Sequence, residues 1–178
     1  METIIFITAL FIFLICILLI IFLKTKSDFN NIFNNVFVSQ EEINSYLSKK
    51  QDCIFRILNI LENKLKIDQS IYKSIKVSLS KKLSSIDKDK TLEKEYNNIL
   101  KISEDFPKLK NFKTYKEIIN DIETINTHLV ALRTFYNKYT TIYNKMIKTP
   151  IYFPFVKHKK LTLKKYYEEK VLNDTINF

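Results

Sequence analysis

From Ile4 to Leu23 the chain reads IIFITALFIFLICILLIIFL, twenty residues without a charge, with Thr8 as the most polar member. In hydrocarbon every backbone N–H and C=O must find a partner within the segment, so a single span of this kind has to be helical. At 1.5 Å per residue the run covers about 30 Å, the thickness of a bilayer core. A cleavable leader would place basic residues before a shorter apolar core and a small-residue site after it. Here only Met1, Glu2 and Thr3 precede the run, no such site follows, and Cys16 lacks the small residues of a lipoprotein signal before it. The segment reads as an uncleaved transmembrane helix ending at Ile4 and Leu23. Lys24 and Lys26 follow it directly and no basic side chain precedes it. The positive-inside rule then expects the N-terminus outside a cell membrane and the rest of the chain in the cytoplasm.

Beyond the anchor the periodicity is helical. Tyr115, Ile118, Ile122, Ile125, Leu129, Leu132, Tyr136, Tyr139, Tyr143 and Met146 alternate in steps of three and four. This is a coiled-coil-like heptad seam with Leu132 near its centre, and Ile119, Phe135 and Ile142 are expected to widen the stripe. Thr114 and Glu117 read as a capping box at its start, and Pro150 as its stop. A second seam runs through Phe33, Val36, Gln40, Ile43, Leu47, Lys50, Ile54, Ile57 and Leu61, so the membrane helix is expected to continue into the bundle after a local break. Asp68 reads as the N-cap of a short helix carrying Tyr72, Ile75, Leu79, Leu83 and Ile86. A polar turn is expected at Asp87-Lys88-Asp89, and a further short helix capped by Thr91, ending before Phe106-Pro107. Two long and two short amphipathic helices predict an all-α protein, an N-terminal transmembrane helix followed by an elongated antiparallel bundle. The expected segments are a flank over 1–3, the span over 4–23, the bundle over 24–150 and an aromatic, basic tail over 151–178.

The chain contains no Gly. That excludes P-loops, dinucleotide-binding glycine turns and nucleophile elbows, each of which needs backbone geometry only Gly supplies. The residues after the run carry all 29 basic side chains and 18 of the 19 acidic ones, a net +11. Only Arg56 and Arg133 are Arg, a bias against nucleic-acid and phosphate recognition, which favours the bidentate guanidinium. Codon drift toward A and T gives the same Lys-rich, Gly-poor composition.

Candidate chemistry is sparse. His128 and His158 lack partners at metal-ligand spacing, and His128 is expected to pack beside the seam or face solvent. Cys53 lies on the first bundle helix and reads as a buried, inert thiol. Cys16 and Cys53 are too far apart to bridge. The acidic pairs Glu41-Glu42, Glu104-Asp105 and Glu168-Glu169 read as solvated. Tyr136, Tyr139 and Tyr143 fall on the heptad and are expected in the core rather than as a stacking platform. Arg133 reads as a surface residue, the alternative being an ion pair with an acidic partner on a neighbouring helix, such as Asp52 or Glu62. No catalytic, cofactor or metal residue is assigned.

Several stretches resemble the LemA family of single-pass bacterial membrane proteins. Asp52-Cys53-Ile54-Phe55-Arg56-Ile57-Leu58 is similar to its D-L-I-P-N-L-V, and Phe106-Pro107-Lys108-Leu109-Lys110 to its Y-P-x-L-K. Leu129 through Asn137, continuing to Tyr143-Asn144 and Ile147, resembles its I-A-x-A-R-x-x-Y-N…Y-N-x-x-I. Arg133, Tyr136, Asn137, Tyr143 and Asn144 thus stand at motif positions. Pro150 and Tyr166-Tyr167-Glu168 match the family's closing features, whereas Asn126-Thr127-His128 stands where E-N-R is usual. The resemblance implies a membrane-anchored helical bundle with no established catalytic activity or cofactor.

The combined expectation is a non-enzymatic scaffold or interaction protein of the cell envelope. Its partners would be the bilayer, through one helix, and other proteins, with no small-molecule substrate. The alternative is an anionic lipid- or nucleic-acid-binding module acting through the basic domain. In the tail, Tyr152, Phe153, Phe155, Lys157, Lys159, Lys160, Lys164 and Lys165 are candidate membrane-surface contacts, unless the aromatics pack back onto the bundle.

Overall fold

The computed structural model describes residues 1–66 and 68–167. It is all-α among those residues, with helices α1 (Glu2–Asn63), α2 (Gln69–Leu79), α3 (Ser85–Asp105), α4 (Lys113–Lys148) and α5 (Phe153–His158). Short 3₁₀ turns at Pro107–Asn111 and Pro150–Tyr152 join the last three. The expected local break after the anchor is absent: α1 is a single helix of 62 residues. No Pro or Gly lies in it to interrupt the hydrogen-bond ladder.

Two compact units divide the chain, Met1–Phe37 with Lys138–Lys165 and Val38–Asn137 with Tyr166–Phe178. The second unit is an up-and-down four-helix bundle. Tyr46 stacks on His128 with centroids 5.0 Å apart, Lys50 reaches Asn126 and Arg56 faces Asp121 at 3.5 Å, so α1 and α4 run antiparallel. Ser85 bonds Asn44 and Lys88 bonds Ser48, which sets α3 parallel to α1. Gln51 donates to the Leu79 carbonyl and Lys76 pairs with Glu62, so α2 is antiparallel to it. Ile43, Leu47, Ile54, Ile57, Leu61, Ile99, Ile118, Ile122 and Leu129 are fully buried between these helices.

The ends follow local chemistry. Asp68 caps α2 as expected, its carboxylate accepting from the Ser70 N–H at 2.9 Å, and that bond holds its carboxyl below the usual range. Phe106-Pro107 closes α3, and α4 stops at Lys148 before Pro150. Two boundaries differ from expectation. α2 ends at Leu79, and α3 starts at Ser85, so Asp87-Lys88-Asp89 is helix rather than turn and Thr91 lies inside it. The reason is Ser84, whose hydroxyl accepts from the Asp87 N–H and donates to its carboxylate, a reciprocal cap. At the start of α4 the helix begins at Lys113, which puts Thr114 at the second helical position instead of the cap.

The seam of α4 also shifts. Leu129, Tyr136 and Tyr143 are buried, but Leu132 and Tyr139 are only half-buried and Phe135 and Ile142 are exposed. Thr140 is fully buried in their stead. A straight helix drifts about 20° per heptad against a strict seven-residue repeat. At 100° per residue Thr140 and Arg133 lie within about 40° of Leu129, whereas Leu132 and Tyr139 lie about 60° and 80° off on the other side.

Candidate functional site

The second unit carries a charged cluster in its interior. On α4 the 3.6-residue stripe turns Arg133 inward, where its Nη2 donates to Asp89 Oδ1 of α3 at 2.6 Å. The two side chains are only 13% and 10% exposed, so the surface reading of Arg133 is corrected: it holds an acidic partner on a neighbouring helix, and that partner is Asp89 rather than Asp52 or Glu62. Asp52 is exposed, and Glu62 pairs with Lys76. Asp89 was not recognisable as the partner from its turn-like surroundings. The Ser84 cap that starts α3 early is what carries Asp89 to the inner face.

A second arrangement lies beside it. Lys50, at a polar position of the α1 seam, is completely buried. Its ammonium donates to Glu93 Oε2 and to Asn126 Oδ1, each at 2.7 Å, and lies 5.6 Å from the Tyr96 ring centroid. A buried ammonium is tolerated only with such partners. Asn126 thus serves as an acceptor for a lysine from α1. Asp89, Lys90, Glu93, Lys94, Asn126, Val130, Arg133 and Tyr167 line a groove of about 520 Å³ over both arrangements.

Tyr167 closes one side of that groove. Its ring meets Tyr136 edge-on at 5.1 Å, and its N–H donates to Asn137 Oδ1 at 3.1 Å. Burial pushes the Tyr167 phenol up to about 12, Ser85 and Arg133 opposing the shift. Burial also raises the Tyr96 phenol and the Cys53 thiol, the latter against the nearby Arg56, which leaves little reactive thiolate at neutral pH. His128 is exposed and stacks on Tyr46. Among the described residues no group of three His, Cys, Asp or Glu side chains has metal-site geometry.

In the first unit Asn144 plays the role Asn137 plays in the second. Its amide donates to the Lys164 carbonyl and its oxygen accepts from the Lys164 N–H, both at 2.9 Å, while the Tyr143 hydroxyl donates to the Thr162 carbonyl at 3.3 Å. In each unit the Tyr-Asn pair buries its Tyr and turns its Asn side chain to the returning chain. Leu109 is buried in its turn, with Phe106 half-buried and Pro107 exposed. The remaining tail positions fall in the first unit. Phe155 stacks on Phe29 at 5.9 Å and approaches Phe22 at 5.3 Å, Tyr152 lies 6.1 Å from Phe29, and Lys159 sits 4.9 Å over Phe33. Phe153, Lys157, Lys160 and Lys165 are exposed. Glu168 and Glu169 lie outside the described residues.

These features define the class: an all-α chain in which a helical bundle follows a long apolar N-terminal helix, the one helix among the described residues long and apolar enough to cross a membrane. The chain belongs to the LemA family, whose model matches residues 39–175, beginning after the apolar run. No curated protein matches it significantly.

Proposed function

We propose that the protein is a non-enzymatic, single-pass membrane-anchored bundle that binds other proteins at the cell envelope, with its N-terminus outside and the bundle in the cytoplasm. The observation that carries this reading is on α1. An 18-residue window of mean hydropathy 3.5 is 0% buried, yet it belongs to the same unbroken helix that supplies the bundle core. An apolar helix left bare over that length calls for a lipid solvent. Membership of the LemA family and the charge-paired groove beside Arg133 support an interaction role.

Two experiments test it. A reporter active only outside the cytoplasm, fused after Phe178, should stay silent; strong activity would overturn the orientation, and Lys24→Glu with Lys26→Glu should shift it. For binding, a photo-crosslinking residue at Lys94 or Val130 should trap the same protein in cells, including after a wash at about 200 mM salt, where lysine-driven polyanion binding weakens steeply. Capture of nucleic acid alone, lost at that salt, would contradict the reading.

A further inference from the structure

We propose that Ile151–Lys160 forms an interfacial collar around the foot of the anchor, docking on the anionic headgroups of the leaflet that α1 enters. The inference rests on the membrane-anchor reading and adds a second contact with the same bilayer. Every residue of α1 is exposed through Lys24; burial begins at Thr25, which is 8% exposed, and is complete at Phe29, 1% exposed. The rings next to Phe29 are those of Tyr152 and Phe155 from the tail, and Phe155 also meets Phe22 in the last turn of the uncharged run.

Phe22 and Phe29 are seven residues apart, about 10 Å along the axis. A ring touching both is therefore held within about that distance of the end of the run, at the depth of the headgroup layer. Lys159, over the rings of Phe29 and Phe33 at 5.9 and 4.9 Å, fixes the far end of the segment. Tyr152, Phe155 and Lys159 are thus positioning residues. What they leave outward is Ile151 and Phe153, 52% and 51% exposed, with Lys157 and Lys160 exposed beside them and Lys24 and Lys26 on α1. Aromatic side chains favour the membrane–water interface, and each lysine near an anionic surface favours it further, about fivefold.

The sequence contains no Trp, so one substitution gives a single fluorescent reporter. The full chain carrying Phe153→Trp is placed in nanodiscs of phosphatidylcholine with or without phosphatidylglycerol, using lipids brominated near the headgroup or near the chain ends. The expected result is blue-shifted emission quenched by the shallow bromines, more strongly with phosphatidylglycerol, and a several-fold loss of that increment in Lys157→Gln/Lys160→Gln. Ile151→Trp serves as a second reporter, and Ile12→Trp reports the anchor. If Ile12→Trp is quenched by deep bromines while both collar reporters show water-like, unquenched emission, the collar is wrong and the anchor stands. If Ile12→Trp is itself unquenched, the anchor reading fails. Equal quenching of the collar reporters in neutral and anionic discs would overturn the headgroup contact.

Discussion

The two ends of α1 are built from similar residues and solve opposite problems. Between Ile4 and Leu23 aliphatic and aromatic side chains surround the helix and none is buried. Between Val36 and Leu61 they are confined largely to one face, and that face is buried. The backbone does not register the change: hydrogen bonding continues from one regime to the other. What changes is the distribution of side chains around the axis, and with it the solvent each end requires.

Placing the same charge in each regime should separate them most sharply. Leu47→Asp buries an unpartnered carboxylate at a position with 0% exposure, and should cost more than about 5 kcal/mol, enough to abolish cooperative melting of a bundle of ordinary stability. Ile12→Asp should leave bundle melting unchanged and penalise insertion by roughly 2.5–3.5 kcal/mol, read as a loss of membrane-integrated protein. Loss of bundle melting in Ile12→Asp would break the comparison, because it would mean that the run packs against protein.

Within the bundle regime the buried ion pair is the next largest lever. Arg133→Met should destabilise by about 3–5 kcal/mol by stranding Asp89, whereas Arg133→Met/Asp89→Leu should recover most of that loss. Equal melting temperatures for the single and double variants would remove the pair from the account. The alkaline limb comes next. The folded Tyr167 phenol titrates at about 12 and the unfolded one near 10, so its contribution is intact below about pH 10 and is lost as pH rises to about 12. The loss is up to about 2–3 kcal/mol in chemical denaturation, and Tyr167→Phe should shrink it. Tyr96, also raised by burial, keeps it from vanishing. Smallest is Asn144→Ala, which removes two hydrogen bonds to a half-buried stretch of irregular chain, should cost about 1 kcal/mol and should speed amide exchange at Lys164.

Much of this architecture is legible in the residues. The uncharged run, the Asp68 cap and the stops at Phe106-Pro107 and Pro150 are local signals, and local signals survive folding. The start of α3 was hidden because Ile86 continues the apolar rhythm of α2, while the Ser84–Asp87 cap that ends it is a short polar motif. Asp89 was missed for the same reason, and its partner lies 44 residues away, beyond the reach of spacing. A heptad seam on α4 differs from the buried stripe because the helix turns every 3.6 residues, which brings Arg133 and Thr140 inward. The Asn137 and Asn144 bonds to the tail needed the return path itself, which no periodicity encodes.

On the proposed reading, one continuous helix passes from a lipid-facing to a protein-facing regime near Thr25. A nitroxide scan along α1 of the full chain in nanodiscs, with Cys16 and Cys53 replaced by Ser, tests it directly through oxygen and water-soluble relaxers. High oxygen accessibility without helical periodicity is expected from residue 5 to 22. From Phe29 onward a 3.6-residue rhythm should follow, with minima at Phe29, Val36, Ile43 and Leu47. A 3.6-residue protection pattern extending back through residues 5–22, or ready access of the water-soluble relaxer there, would contradict it.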